Sequence, residues 1–190
     1  MRLKRLAVFS LMLIAVLACT AQVSQSTLVI PSSLEYMAGK ADTILNGTVR
    51  DTFGYWEQNR IYTGVRVDVL EYVKSVDPAK PSVVELKVMG GQVGETRLEI
   101  DNAPKFSPGE EVLLFLVRHQ DKYIVYGVYY GVCRVITAED GAGKLVVGPV
   151  FNERKVQDIA TQQVKLNPLP PNGEKLDVFV RRIRDLVGEK

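Results

Sequence analysis

The chain has 190 residues, 46% apolar and 24% charged, which excludes wholesale disorder and leaves room for one domain with targeting and tail segments. One His and two Cys exclude most metal clusters and any scaffold held by several disulfides. The net charge is +2, but three basic residues lie in the first eighteen positions, and removing them reduces Lys and Arg from 24 to 21, against 22 Asp and Glu. The charge therefore does not favour a nucleic-acid-binding protein.

The amino terminus has the pattern of an export signal. Residues 1–5 are basic, and residues 6–18 form an apolar run in which only Ser10 is polar. Such a run is too short to cross about 30 Å of hydrocarbon as a helix, which takes about 20 residues. It is typical of the apolar region of a secretory signal. We therefore predict a signal peptide over residues 1–18.

The sequence that follows allows two cleavage sites. Residues 15–19, AVLAC, resemble the lipobox of bacterial lipoproteins, in which Cys19 is acylated and becomes the first residue. Residues 19–30 would then be the lipidated Cys and its tether, and several acyl chains would give stable anchoring in the cell envelope. Ordinary signal-peptidase cleavage before Gln22 is the alternative, and it predicts a soluble periplasmic or secreted protein. Either way Cys133 has no disulfide partner, and its strand-like setting predicts a buried, inert thiol.

A short helix and a series of strands are predicted next, over residues 31–150. Residues 31–40 indicate a helix, with Ser32 or Ser33 as its cap. The apolar period then changes to two, and turn signals separate strands with no interleaved helix. The predicted strands are 44–53, 61–72, 84–88, 98–100, 112–117, 123–130, 132–136 and 144–147. Residues 55–60 are the predicted connection of the first hairpin. This spacing favours a closed or nearly closed antiparallel barrel over a parallel doubly wound sheet.

The carboxyl-terminal residues differ in pattern. Residues 151–173 are predicted to be a linker or a weak helix, and residues 174–190 an amphipathic helix with apolar residues at i, i+3, i+4 and i+7. We expect this helix to pack back on the barrel. The alternative is that Arg181, Arg182 and Arg184 face a membrane surface or an acidic partner.

Few residues could carry chemistry. His119, the single histidine, lies in a predicted turn with no metal-ligand spacing around it, and no Ser lies in a Gly-x-Ser-x-Gly elbow. The glycine-rich residues 90–94 precede a strand rather than the helix that a phosphate loop needs. Glu110 and Glu111 are adjacent, so on a strand they point to opposite faces. We therefore predict no catalytic residue, no metal and no cofactor.

Aromatic residues give the best functional lead. Tyr and Trp combine a large contact area with a polar group, as binding surfaces require. The alternative is that some of them fill one face of the sheet. The candidate binding face consists of Tyr55, Trp56, Arg60, Tyr126, Tyr129 and Tyr130.

Several short stretches resemble a widespread, largely uncharacterised class of small exported bacterial proteins. They lie at residues 41–49, 61–63, 90–94 and 103–112, and the resemblance covers about residues 34–136. The order of elements is also similar to the netrin-like module, the OB-type barrel of the tissue inhibitors of metalloproteinases. Those inhibitors chelate zinc through a free amino-terminal Cys fixed by disulfides. Here residues 19–21 lack the second Cys of that motif, so the inhibitory role is not assigned to Cys19.

These expectations combine into one hypothesis. The fold is mainly β, a β-rich α+β class, with an OB-like antiparallel barrel, a short amino-terminal helix and a carboxyl-terminal amphipathic helix. The protein is expected to be exported, lipid-anchored in the cell envelope and non-enzymatic. It would contact the membrane through its anchor and bind an envelope protein, peptide or glycan, but no nucleic acid. A peptidase inhibitor or propeptide-like regulator of the netrin-like type is the alternative.

Overall fold

The computed structural model describes residues 33–139, 141, 143–148 and 173–188. The predicted signal peptide, Cys19 with its tether and nearly all of the predicted linker lie outside these residues. The helices are α1 (Leu34–Lys40), a 3-10 helix (Val128–Gly131) and α2 (Leu176–Val187). The strands are β1 (Thr43–Glu57), β2 (Arg60–Ser75), β3 (Val83–Met89), β4 (Gly91–Val93), β5 (Thr96–Leu98), β6 (Glu111–His119), β7 (Lys122–Val125), β8 (Val132–Thr137), β9 (Lys144–Val147) and β10 (Glu174–Lys175).

Eight strands form one sheet that partly closes on itself. Their order is β1-β2-β3-β7-β6-β8-β9-β10, and β1 also pairs with β6, while β4 and β5 form a separate hairpin. Five strands therefore pair in a ring, and the sheet is barrel-like. The predicted β-rich class with a short helix at each end is confirmed. The pairing is not wholly antiparallel, because β3 and β7 run in parallel and are joined by one residue pair, Leu86 with Tyr123.

The first hairpin is longer than predicted. Its turn is only Gln58 and Asn59, whose φ angles of 47° and 63° are those of a tight two-residue hairpin loop. Strand β1 consequently continues through Tyr55 and Trp56, which the sequence analysis placed in the connection. The prediction of a loop over residues 55–60 is therefore wrong, because a two-residue turn is enough to reverse the chain.

The predicted strand over residues 123–130 is also shorter in the structure. Strand β7 ends at Val125, and Gly127 adopts a left-handed φ of 71° before the 3-10 helix. A left-handed residue breaks the extended ladder, and only glycine adopts this conformation without strain. The aromatic segment is therefore a turn over the end of the sheet and not a continuous strand.

The inside of the ring is the first of two cores. Alternate residues of each strand point inward, as the period of two predicts. One cluster of buried apolar side chains fills it and includes Leu45, Val49, Val65, Val67, Val84, Leu86, Val112, Leu114 and Leu116.

The second core lies on the other side of β1 and β6. Ile44 and Phe115 are wholly buried there, since neighbouring strand residues project to opposite faces. Helices α1 and α2 contact each other, and α2 also contacts β2 and β9. Phe179 and Ile183 of α2 are wholly buried. The amphipathic helix therefore packs back on the sheet, as predicted, and Arg184 is held by Glu71 of β2 at 2.5 Å.

Helix α1 is fixed at both ends. The Ser33 hydroxyl accepts the Tyr36 N–H at 3.1 Å, which identifies the cap among the two predicted serines. At the other end the Lys74 amine of β2 donates to the carbonyls of Ala38 at 2.9 Å and Ala41 at 2.7 Å. Because a cation at a helix carboxyl terminus is favourable, this contact ties α1 to β2. No helix within the described ranges is long and apolar enough to cross a membrane.

Candidate functional site

The structure separates the first two residues of the predicted binding face, Tyr55 and Trp56. Tyr55 lies opposite Tyr62 across the hairpin, and Trp56 lies opposite Ile61. Adjacent residues of a strand point to opposite faces of the sheet, so Tyr55 and Trp56 cannot contact the same ligand surface. The sequence analysis grouped them as loop residues, and the structure places both in β1.

The ring of Tyr55 is already covered by the protein's own side chains. It stacks on Tyr62 at 6.0 Å between centroids, and the Lys122 amine lies 4.6 Å from its centre. The Lys87 amine lies 4.2 Å from the centre of the Tyr62 ring. Cations over ring faces stabilise the sheet surface, and they leave these faces unavailable for stacking on a ligand.

Both amines are also ion-paired. Lys87 bonds Glu57 at 2.6 Å, and Lys122 bonds Glu85 of β3 at 2.9 Å. In each case the hydrogen bond to the carboxylate is the main cause that raises the pKa of the lysine. The aromatic and charged residues on this outer face therefore satisfy one another.

Trp56 and Arg60 remain exposed near the hairpin turn. Trp56 is 51% exposed, and Arg60 begins β2 directly after the turn. Both residues lie at the end of the hairpin. Trp56 is on the side of the sheet opposite Tyr55. Neither residue is in a ring contact described for this part of the chain.

The later tyrosines form a separate group beside α1. A side-chain hydrogen bond to Tyr36 of α1 is the main cause that raises the pKa of Tyr126. The rings of Tyr129 and Tyr130 lie 4.1 Å apart, and burial raises the pKa of Tyr130 to about 12. Tyr55 lies under Lys122 at the start of β7, whereas Tyr126 comes directly after the other end of β7. The six predicted residues therefore do not form one face.

An apolar groove that the sequence analysis missed lies beside β3 and the end of β7. It has a volume of about 410 Å³. We call it the seam groove. Its apolar lining includes Tyr62, Met89, Ile100, Ile124, Val125 and Val128. Met89, Ile100 and Val128 are each more than a third exposed there. Exposed apolar side chains that meet in one groove mark an interaction site more often than scattered ones do.

The groove is assembled from several elements. Strands β3 and β7 share one ladder pair, Leu86 with Tyr123, and lie side by side there. The chain between β5 and β6 contributes Ile100, Ala103 and Pro104 to one side. A second depression of about 500 Å³ adjoins it on the side of β4 and β5.

Val128 is held in a strained backbone conformation at the groove. Its φ is 58°, a value that is uncommon for any residue with a side chain and an outlier for a β-branched one. Such strain costs about 1–3 kcal/mol and concentrates at functional sites. Val128 nevertheless exposes 43% of its surface instead of filling a core.

The groove lining contains one charged residue whose charge is already paired. Lys87 is bonded to Glu57, and the lining also includes His119 but no carboxylate. His119, predicted in a turn, is the exposed last residue of β6. Within the part of the chain that the structure describes, no three His, Cys, Asp or Glu side chains gather closely enough to hold a metal ion.

Cys133 is wholly buried, as its strand pattern predicted. Burial raises the pKa of its thiol to about 12. The reactive thiolate is therefore scarce at neutral pH, and Cys133 is a packing residue of the second core.

No protein-family model matches the chain, and no curated protein matches its sequence. The resemblances drawn from its motifs stay predictions, and the argument for function depends on the geometry of the site.

Proposed function

We propose that the protein is an exported, lipid-anchored component of the cell envelope that acts as a non-enzymatic binding module. The membrane is reached through acyl groups on Cys19, and the partner is an envelope protein, peptide or glycan. The observation that carries the binding role is the seam groove, where Met89, Ile100 and Val128 expose apolar surface together. Apolar pockets of this size with a few polar groups are the usual form of ligand sites.

The chemistry of the lining supports binding over catalysis. General acid–base catalysis needs a proton donor and acceptor within hydrogen-bond reach of the reacting atoms. Lys87 is already bonded to Glu57, and no carboxylate lines the groove beside His119. The strained backbone of Val128 also supports a binding role, because burial of the Val128 side chain does not offset the strain.

The anchoring part of the proposal is tested by the intact mass of the protein from membrane and soluble fractions. We expect a chain that begins at Cys19 and carries acyl groups, recovered with membranes. A chain that begins at Gln22 in the soluble fraction would contradict the anchor. The binding role does not depend on this result.

The binding part is tested by photo-cross-linking in intact cells. A photoreactive residue replaces Val128 in the groove or, as a matched control, Ile136, which is 45% exposed on β8. We expect a defined adduct from position 128 only, and its mass identifies a protein, peptide or glycan. Equal adducts from both positions, or none from position 128, would show that the groove is not the binding surface.

A further inference from the structure

We infer that the partner of the seam groove is an acylated glycan. Its hydrocarbon chain lies in the seam groove, and its neutral sugar head lies in the adjoining depression of about 500 Å³. This inference rests on the proposed function and names the class of partner. It is argued from the lining that the two cavities share, from the side chains of the groove and from the charges of the depression.

The two cavities adjoin each other across apolar surface. The residues that line both of them are Val88, Met89, Ile100, Ala103 and Pro104. All five are apolar, and Met89 and Ile100 are each more than a third exposed. A ligand that fills both cavities therefore lies across apolar side chains, and the described lining that the cavities share contains no charged residue.

The seam groove suits a hydrocarbon chain. Among the described residues that line it, those with polar side chains are Tyr62, Lys87 and His119. The Lys87 amine bonds Glu57 at 2.6 Å and lies over the Tyr62 ring, so its charge is already satisfied. Burial of an amide without a hydrogen-bond partner is costly, whereas a hydrocarbon chain has no polar group to satisfy. The lining therefore favours a hydrocarbon chain over a peptide main chain.

The adjoining depression suits a neutral head that is rich in hydroxyl groups. We call it the polar depression, and its charged and amide side chains are those of Gln92, Arg97, Glu99, Asp101, Asn102 and Lys105. Two of these are basic and two are acidic, so the charges of the described lining balance. A carboxylate accepts hydrogen bonds, an ammonium group donates them and an amide does both. Hydroxyl groups also do both, so a sugar can bond with each kind of side chain.

Three side chains of the polar depression are available to a ligand. Arg97 and Glu99 form an ion pair with each other. Asp101, Asn102 and Lys105 are exposed, and within the described ranges their side chains have no hydrogen-bond or ion-pair partner. Asp101 and Lys105 carry opposite charges, so one of them repels any charged head that the other attracts. A neutral sugar bonds with both, and the charges therefore favour a glycan over a phosphate head.

Alkyl probes that differ in one part at a time test this assignment. They are decyl maltoside, octyl maltoside with a shorter chain, and decylphosphocholine with a different head. Each is titrated calorimetrically, below its micelle concentration, into the mature chain carrying Cys19→Ser, so that no acyl group of the protein competes. We expect octyl maltoside to bind roughly 15-fold more weakly than decyl maltoside, since each of the two missing CH₂ groups contributes roughly 0.8 kcal/mol. Decylphosphocholine should bind at least tenfold more weakly.

Variants of the seam groove locate the chain. Val128→Lys is expected to weaken binding of decyl maltoside at least tenfold, and Ile136→Lys to leave it unchanged. Circular dichroism checks that both variants are folded. Ile100→Lys, between the two cavities, gives an independent measurement and should also weaken binding.

Variants of the polar depression locate the head. Asn102→Gly removes an amide at a φ of 62°, and Asn59→Gly in the first hairpin is its matched control at a φ of 63°. Glycine adopts a left-handed φ without strain, so both backbones are kept. Asn102→Gly should weaken decyl maltoside about fivefold, since a hydrogen bond contributes about 1 kcal/mol, and should leave decylphosphocholine unchanged. Asn59→Gly should change neither.

The cross-link from position 128 in intact cells should have the mass of an acylated glycan. Four outcomes overturn the inference: equal binding of octyl and decyl maltoside, decylphosphocholine binding as tight as that of decyl maltoside, no binding of any probe, and a cross-linked protein or peptide. A specific cross-link together with any of these keeps the proposed binding role and removes the acylated glycan. Loss of that cross-link removes the binding role itself.

Discussion

The ring of strands is closed at two places that differ in nearly every respect. Strands β1 and β6 meet through six consecutive residue pairs, from Thr43 with Leu116 to Thr48 with Glu111, and α1 contacts both β6 and α2. Strands β3 and β7 share one ladder pair, and an apolar groove lies open beside them. The first closure borders the second core, whereas the second leaves apolar surface exposed. The contrast separates structural residues from those of the proposed binding groove.

The largest effect is expected at helix α2, which packs on α1 and on β2 beside the first closure. Phe179→Ala removes a wholly buried ring and leaves a cavity, so it should lower the free energy of unfolding by about 3–5 kcal/mol. Val178→Ala, at a neighbouring position that is 43% exposed, should change it by less than about 0.5 kcal/mol. Urea denaturation measures both. A small loss for Phe179→Ala would show that α2 does not stabilise this closure.

A glycine in β1 tests how tightly β1 packs on β2 beside the first closure. A Cβ added at Gly47 lies 2.6 Å from the Asp68 carbonyl oxygen and from a Val67 methyl. Gly47→Ala should therefore lower the free energy of unfolding by about 1–3 kcal/mol through overpacking. Gly39→Ala is the control, because its Cβ meets nothing within 4 Å. Thermal unfolding of the two variants should separate them, and equal midpoints would refute the tight packing.

The second closure should respond in the opposite direction. Val128→Asn replaces a β-branched residue at a φ of 58° with one that tolerates this conformation, so stability should rise by about 1 kcal/mol. Binding at the groove should fall, because apolar contact is lost. Ile136→Asn, on an exposed strand position, should not gain stability. A rise in both stability and binding for Val128→Asn would contradict a recognition role for Val128.

The smallest effect is expected at the ion pair that crosses the second closure. Glu85→Gln removes the partner of Lys122, and the pair is partly exposed, so the loss should be at most about 1 kcal/mol. The hydrogen bond from Lys122 to Glu85 raises the pKa of Lys122 above its ordinary value of 10.5. Its contribution is therefore full below the unfolded-state pKa and is lost as the pH rises through the folded-state pKa.

The measurement is the difference in unfolding free energy between wild type and Glu85→Gln from pH 7 to pH 11. It should shrink only at the alkaline end of this range. A difference that stays constant up to pH 11 would mean that the charge of Lys122 does not set it.

Local patterns predicted the elements well where consecutive residues decide the structure. Strand β9 has the predicted bounds and helix α2 lies within the predicted residues 174–190, because alternation and helical spacing are properties of consecutive residues. The first hairpin was misjudged at Tyr55, since its turn residues, Gln58 and Asn59, include no glycine to mark a two-residue turn. The end of β7 was missed although Gly127 is a visible signal for it.

The site was not predictable in the same way. Met89, Ile100, Val125 and Val128 come from separate segments and meet only through the order of strands in the ring. Sequence patterns give the face on which a side chain lies but not which strands become neighbours. The assembly of the groove from these segments is therefore a property of the tertiary structure.

The long first hairpin also orders the events of folding. Its strands are joined by the two residues Gln58 and Asn59, and local hairpins form within about 1–10 μs. The first closure joins Thr48 to Glu111, 63 positions away. The chain loses the entropy of this long loop before the contact contributes favourable free energy, so the contact forms slowly. We expect the hairpin to be a template on which β6 docks in the slow step. Strand β7, which lines the groove, follows β6 in sequence. The proposed binding groove is therefore complete only after the ring has closed.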